Sequence, residues 1–242
     1  RGFLLGYPVH AQFSLKPTLS YYYLPKFLAP LCYEFDDYQL GLQSAELFLT
    51  KGLAVMKKTL QEDGNAVIQD WYTIFQHLVK MPPLATVPVR PSKPLLVFVA
   101  DGGWGSWTGS DLLTKGVGGS ETYIIEMARY IQKGGYYDVS VFCRCDREDV
   151  FEGVVYRPIQ GFHAFVSNTT VQTCIISRFS EYLPVAIRGY VENIYLVLHD
   201  LGPTGLIIPL HPKLKKVFCL TDWHKHHFLS NFPACEGNVD VL

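Results

Sequence analysis

The chain has 242 residues with 22 acidic and 21 basic side chains, so its formal net charge is −1. This balance argues against an electrostatic nucleic-acid binder, which would carry a basic excess. The hydrophobic fraction of 48% is ample for a buried core, whereas the longest apolar runs are far too short for a transmembrane segment. The six cysteines lie mostly inside apolar runs, which is typical of reduced core thiols. We therefore expect a cytoplasmic protein.

Residues 1–82 predict a small all-α helical region. Apolar residues recur at three- and four-residue spacings in three stretches, and a further short helix fits Leu53 to Gln61. The three stretches run from Leu19 to Leu31, from Tyr38 to Leu49 and from Ala66 to Lys80. The pattern resembles a tetratricopeptide helix pair only weakly, since no second copy follows at the 34-residue period. The region is either a helical cap on the next domain or a repeat that binds a protein partner.

A proline-rich segment follows, with five prolines between Met81 and Pro94. This composition is typical of a semi-rigid linker, which we place at residues 83–94.

From Leu95 onward the pattern alternates between strands and helices. Continuous apolar runs predict buried strands, and amphipathic runs between them predict helices. Repeated units of this kind predict an α/β domain at 95–242, with a Rossmann-like parallel sheet and helices on both faces. Ligands of such sheets bind beyond the C-terminal strand ends. The predicted strands are Leu95–Ala100, Asp138–Arg144, Val154–Pro158, Val171–Ser177, Ile194–Leu198, Lys216–Leu220 and one from Val239; the helices are Ser120–Lys133, Glu181–Ile187 and Asp222–Asn231, with Thr221 as N-cap.

The turn Lys115-Gly116-Val117-Gly118-Gly119-Ser120-Glu121 is the leading candidate for a binding site, because it opens a predicted helix. Backbone N–H groups and the helix dipole at such a turn suit a phosphate or a sugar oxyanion. About fifteen residues separate the turn from its strand, and no acidic residue ends the second strand, so it departs from a dinucleotide-binding fingerprint. The turn is alternatively a tight structural corner.

Three motifs in this order resemble the N-terminal half of GT-B glycosyltransferases. The first is Lys115–Glu121, a helix and then Gly134-Gly135-Tyr136-Tyr137-Asp138-Val139-Ser140-Val141; the second is Val197-Leu198-His199-Asp200. The third runs from Cys219-Leu220-Thr221-Asp222-Trp223-His224-Lys225 to Phe232-Pro233. The chain is most similar to the large retaining group (family 4, group 1) that includes bacterial sugar transferases and sucrose and glycogen synthases. Tyr137-Asp138 stands where the group has Gly-His, and the resemblance covers only residues 95–242.

The resemblance implies transfer of a sugar from a nucleotide-diphospho-sugar to a hydroxyl acceptor on a glycan, lipid or protein, with retention and without a cofactor or metal. It implies that His199 lies beside the donor sugar as the catalytic residue. Its second domain binds most of the nucleotide, and we expect that domain to lie outside the 242 residues, which alone would be inactive. Donor or acceptor binding would fall to Gly116, Gly118, Gly119, Ser120, Glu121, Asp200 and Trp223.

Each of these residues also has a structural interpretation. His199 is alternatively a core histidine at a strand end, Asp200 a turn cap and Trp223 a packing residue. Glu121 is alternatively a first-turn acid that the helix dipole favours. Two other functions stay open: a non-catalytic binding module, formed by a helical repeat and an inactive α/β domain, or another Rossmann-type nucleotide-dependent enzyme.

The sequence predicts no metal site. Cys143-x-Cys145 lacks zinc spacing and a second pair, and the i, i+3 pair His224 and His227 lacks a third ligand.

Overall fold

The computed structural model describes residues 24–52, 58–103, 105–201 and 211–242. The chain forms two compact units, which divide between Lys80 and Met81. The first is helical and the second combines a sheet with helices, which confirms the predicted fold class.

The helical unit contains α1 (Leu24–Glu34), α2 (Tyr38–Leu47) with a π-helical turn at Phe48–Gly52, and α3 (Lys58–Leu78). Asp37 caps α2, because its carboxylate accepts a hydrogen bond from the Leu40 N–H at 3.2 Å. Trp71 and Phe75 of α3 stack with ring centroids 5.6 Å apart. The third helix was predicted to begin at Ala66, but it begins at Lys58 and takes in the end of the short helix predicted at Leu53–Gln61. Predictions for residues 1–23 and 53–57 lie outside the described residues.

The second unit contains an eight-stranded sheet in the order β3-β4-β2-β1-β5-β6-β7-β8. All neighbouring strands are parallel except β3, which is antiparallel to β4. The strands are β1 (Leu95–Ala100), β2 (Asp138–Cys143), β3 (Asp149–Phe151), β4 (Val154–Pro158), β5 (Val171–Ser177), β6 (Val191–Val197), β7 (Leu214–Cys219) and β8 (Val239–Val241). The helices are α4 (Asp111–Thr114), α5 (Gly119–Lys133), α6 (Phe162–Asn168), α7 (Leu183–Arg188) and α8 (Asp222–Asn231).

Helices cover both faces of the sheet. From β1 the chain proceeds outward to β2 and β4 and then returns to β5 on the other side of β1. Right-handed crossovers in opposite directions place their helices on opposite faces. Phe98 of β1 packs with Ile124 of α5 on one face. On the other face Phe142 of β2 contacts Phe162 and Phe165 of α6, at 5.4 and 5.1 Å between ring centroids. The order reverses between β1 and β5, and the ligand crevice of such a sheet opens at that point.

The proline-rich segment is hydrogen-bonded to the α/β unit. The Ala85 N–H donates to the carbonyl of Ser167 at 2.9 Å, and the Val89 N–H donates to that of Asn168 at 2.7 Å. The Tyr190 hydroxyl donates to the Ala85 carbonyl. This part of the predicted linker therefore belongs structurally to the second unit.

All six cysteines are buried. Burial raises the pKa of the Cys143 and Cys174 thiols, which keeps them protonated and unreactive.

Removing the Tyr156 hydroxyl is expected to stabilise the α/β unit. Tyr156 is fully buried beside Trp107, and its hydroxyl has no hydrogen-bond partner among the described residues. A buried unpaired hydroxyl costs about 1–3 kcal/mol, so Tyr156→Phe should raise the free energy of unfolding, measured in urea with an unchanged m-value. Tyr190→Phe is the matched control and should lower it, because it loses the bond to Ala85. A destabilised Tyr156→Phe would contradict this assignment.

Candidate functional site

The C-terminal ends of β1, β5 and β6 lie next to one another in the sheet. The residues that follow these ends are Gly102 after β1, Arg178 after β5, and His199 and Asp200 after β6, while Ser177 is the last residue of β5. These positions lie beyond C-terminal strand ends, where ligands of such sheets were expected, and the reversal of strand order falls between β1 and β5.

The glycine turn opens α5 onto a cleft of about 600 Å³. Gly118 precedes the helix without a side-chain cap, so the first backbone N–H groups of α5 have no capping side chain. Gly116 has φ +73°, a left-handed conformation that favours glycine. A helix N-terminus that faces a cleft is suited to an anion or an oxyanion. The cleft is lined by Gly103, Ser106, Trp107, Lys115, Gly116, Gly118 and Glu121.

Glu121 is buried in the wall of the cleft. Its side chain is 5% exposed, and Oε1 accepts a hydrogen bond from Ser120 Oγ at 3.1 Å. A Cβ atom on Gly118 would lie 2.2 Å from Glu121 Oε2, and one on Gly102 would lie 3.3 Å from Oε1. The absence of a Cβ atom at the two glycines therefore leaves space for the carboxylate. A first-turn acid on an exposed helix would need no such space.

His199 joins the end of β6 to β5 and α5. Its Nε2 lies 3.0 Å from Ser177 Oγ, and its ring packs edge-to-face on Tyr123, with centroids 5.6 Å apart. Burial is the main cause that lowers the pKa of His199, and the charge of Arg178 lowers it further. The imidazole is therefore neutral near pH 7. Because Tyr123 belongs to α5, this contact links His199 to the helix that the glycine turn opens.

Asp200 forms an ion pair with Arg178. Arg178 Nε and Nη2 donate to the two carboxylate oxygens at 2.5 and 3.0 Å. These hydrogen bonds are the main cause of the lowered pKa of Asp200. Arg178 has φ +74°, a conformation that is costly for a residue other than glycine and that clusters at functional sites. This pair was not predicted from the sequence, although a charged residue follows both neighbouring strands.

Trp223 is not one of the described residues that line the cleft at the glycine turn. Its side chain is 63% exposed on α8 and stacks on His227 at 5.5 Å. The N-cap prediction for this helix is confirmed, since Thr221 Oγ1 accepts from the His224 N–H at 3.1 Å. His224 is buried, and its Nε2 has no partner in the described part of the chain.

The loop after β1 closes one side of the cleft through Trp107. The indole N–H donates to the Gly102 carbonyl at 2.8 Å, and the backbone N–H donates to that of Arg144 at 2.9 Å. The Tyr182 hydroxyl donates to Asp101 at 2.7 Å. The length of this loop was evident from the sequence, but no role was predicted for Trp107.

No group of three or more metal-ligating side chains occurs among residues 24–52, 58–103, 105–201 and 211–242. Over the same ranges, none of the helices has the length and apolar character needed to cross a membrane. Comparison with known proteins found no matching family model and no matching curated protein.

Proposed function

We propose that the α/β unit is the acceptor-side domain of a GT-B glycosyltransferase. The enzyme transfers a sugar from a nucleotide-diphospho-sugar to a hydroxyl acceptor with retention. The observation that supports this proposal most is the uncapped N-terminus of α5, which opens on a 600 Å³ cleft formed by this helix and the connection between β1 and α5. His199 lies on the same side and contacts α5 through Tyr123.

The chemistry of sugar transfer matches this arrangement. Departure of the nucleoside diphosphate places negative charge on the leaving oxygens and positive charge on the anomeric carbon. Preorganised N–H donors and a helix N-terminus stabilise developing negative charge. Gly118 and Gly119 would supply such donors, because neither has a Cβ atom that blocks close approach. A neutral His199 would hydrogen-bond the transferred sugar, with Ser177 holding its ring in place.

Two observations argue against a dinucleotide-binding enzyme, which is one form of the Rossmann-type alternative. The connection between β1 and α5 runs from Asp101 to Gly118, far longer than the tight turn of a dinucleotide fingerprint. At the end of β2, Cys143 and Arg144 stand where a nicotinamide-binding protein has the acidic residue that binds the ribose.

The experiment that tests the proposal is a donor screen on the full-length protein. UDP-, GDP- and ADP-sugars are each offered with a mixture of saccharide and lipid hydroxyl acceptors, and the released nucleotide and the product are quantified. We expect transfer with one class of donor, with retention, and unchanged by a metal chelator. The isolated 242 residues should bind acceptor without turnover. Absence of transfer from every donor, or purification with a bound redox cofactor, would contradict the proposal.

A further inference from the structure

A second cleft of about 490 Å³ adjoins the cleft at the glycine turn. Its walls are the loop after β1 and the connection between β2 and β3. Ser106 and Lys115 line both clefts, and Lys115 Nζ donates to the Ser106 carbonyl at 2.7 Å. Both volumes fall in the range of about 300–1,000 Å³ typical of small-molecule sites. The two clefts therefore share the boundary formed by Ser106 and Lys115, which a ligand that occupies both would cross.

Two of the three carboxylates of the second cleft, those of Asp149 and Asp111, are fixed in place by hydrogen bonds. Asp149 Oδ2 accepts from Thr108 Oγ1 at 2.7 Å and from Ser110 Oγ at 3.0 Å. Asp111 Oδ2 accepts from the Thr108 N–H at 2.8 Å. The bond from Thr108 is the main cause of the lowered pKa of Asp149, which keeps that carboxylate ionised. Groups already ordered before binding lose little freedom when a ligand arrives.

The second cleft also offers donors and is close to neutral overall. The guanidinium of Arg147 makes no hydrogen bond or ion pair with the described residues, and it lies at the cleft beside Asp146 and Asp149. Lys115 Nζ lies 3.3 Å from Asp111. Three carboxylates and two cations thus line one surface.

This composition selects the ligand class. With three carboxylates against two cations the cleft offers an anionic ligand no net attraction, and no described cluster of ligating side chains suits a metal ion. The described lining contains no aromatic side chain on which a nucleobase would stack. Fixed acceptors interleaved with hydroxyls and cationic donors match a neutral ligand that carries many hydroxyl groups.

We propose that the second cleft binds the next sugar units of an oligosaccharide acceptor whose reacting end lies in the glycine-turn cleft. The acceptor class is therefore a glycan of two or more units, and this inference rests on the proposed function. Sugar hydroxyls would donate to Asp146 and Asp149 and accept from Arg147, while Lys115 contacts the ligand where it crosses between the clefts.

The test measures binding of mono- and trisaccharides of glucose, mannose and galactose to the 242-residue chain, by calorimetry and backbone amide NMR. We expect one trisaccharide to bind at least about tenfold more tightly than its monosaccharide, which is about 1.4 kcal/mol. Amide shifts should include Thr108, Ser110 and Arg147. Arg147→Ala and Asp146→Asn should weaken trisaccharide binding about tenfold and at least fivefold more than monosaccharide binding. The matched controls Arg90→Ala and Glu192→Gln, near the N-terminal ends of β1 and β6, should leave both affinities unchanged.

Equal affinities for mono- and trisaccharides, no binding of any saccharide, or variants without effect would each overturn the second cleft as an acceptor subsite. The outcomes that contradict the glycosyltransferase assignment differ from those that contradict the second cleft. If the 242-residue chain binds the trisaccharide at Arg147 but the full-length protein transfers sugar from no donor, the glycosyltransferase assignment alone is contradicted. Transfer to mono- and trisaccharides with equal kcat/KM would support the enzyme and overturn the second cleft.

Discussion

His199→Ala is expected to lower the kcat for sugar transfer by the full-length protein about 10²–10³-fold, the usual effect of removing one preorganised hydrogen-bonding group that stabilises a transition state. The imidazole is packed on Tyr123 and lies 3.0 Å from Ser177 Oγ, so its position is fixed before substrate binds. The measurement is kcat and KM with the donor identified by the screen. Because the effect belongs to the transition state, kcat and kcat/KM should fall together.

His226→Ala is the matched control for His199. His226 is an exposed histidine of α8 whose ring bonds the Asp222 carbonyl at 2.7 Å, and its loss should leave kcat unchanged. Ser177→Ala tests positioning, since it removes only the partner of His199 Nε2, and it should lower kcat less than His199→Ala does. If His199→Ala retains wild-type kcat, His199 is a core histidine and the catalytic assignment is wrong.

The pH dependence of kcat/KM provides a second readout for His199. Its pKa lies below the ordinary value of about 6.5, so the neutral ring persists as the pH falls and activity should decline only below that value. Besides burial, Arg178 and His224 lower this pKa, whereas Asp200 and Glu121 raise it. Arg178→Gln should therefore move the acidic limb to higher pH. An unchanged limb would show that His199 does not control the profile.

The sheet was predictable from the sequence because its central strands are buried on both faces. Leu95–Ala100 forms β1 within the predicted limits, and all six residues are buried. Asp222–Asn231 was likewise predicted correctly, since Thr221 provides a strong N-cap. Strand β3 was missed because it has three residues and its Val150 is 62% exposed, which leaves no hydrophobic period to detect. The dipeptide Glu152-Gly153, with both φ angles positive, was the available hairpin signal.

The residues of the candidate site were predictable only where a short, local sequence motif indicates them. The glycine turn precedes a clear amphipathic helix and His199 lies just beyond the end of β6, and in the structure His199 packs on Tyr123 of that helix. The ion pair of Arg178 and Asp200 joins residues 22 positions apart, so no local spacing indicates it. Trp223 fits the third motif in sequence but projects from α8 as an exposed side chain, because its helical phase turns Phe228 rather than Trp223 into the core.

Gly118→Ala and Gly119→Ala are expected to distinguish an effect on ligand binding from an effect on side-chain packing at the glycine turn. A Cβ on Gly119 would meet no described atom within 4 Å, whereas one on Gly118 would lie 2.2 Å from Glu121 Oε2. Gly118 has φ −67° and ψ 168°, so alanine there causes no backbone strain and acts only by displacing the carboxylate. Overpacking of this kind costs about 1–3 kcal/mol, which should appear as a lower melting temperature together with lower activity.

Gly119→Ala should instead keep or raise the melting temperature, because alanine favours a helix by up to about 1 kcal/mol over glycine. Its methyl group would nevertheless stand where a ligand oxygen approaches the first N–H groups of α5. We expect kcat/KM to fall at least about tenfold, or about 1.4 kcal/mol, measured beside calorimetric melting of the same samples. Gly237→Ala, which also meets no described atom within 4 Å, is the control for a harmless methyl group. A Gly119→Ala enzyme with full activity would mean that α5 begins at a structural corner and binds no substrate there, whereas a loss of activity without a loss of stability assigns this helix N-terminus to the ligand.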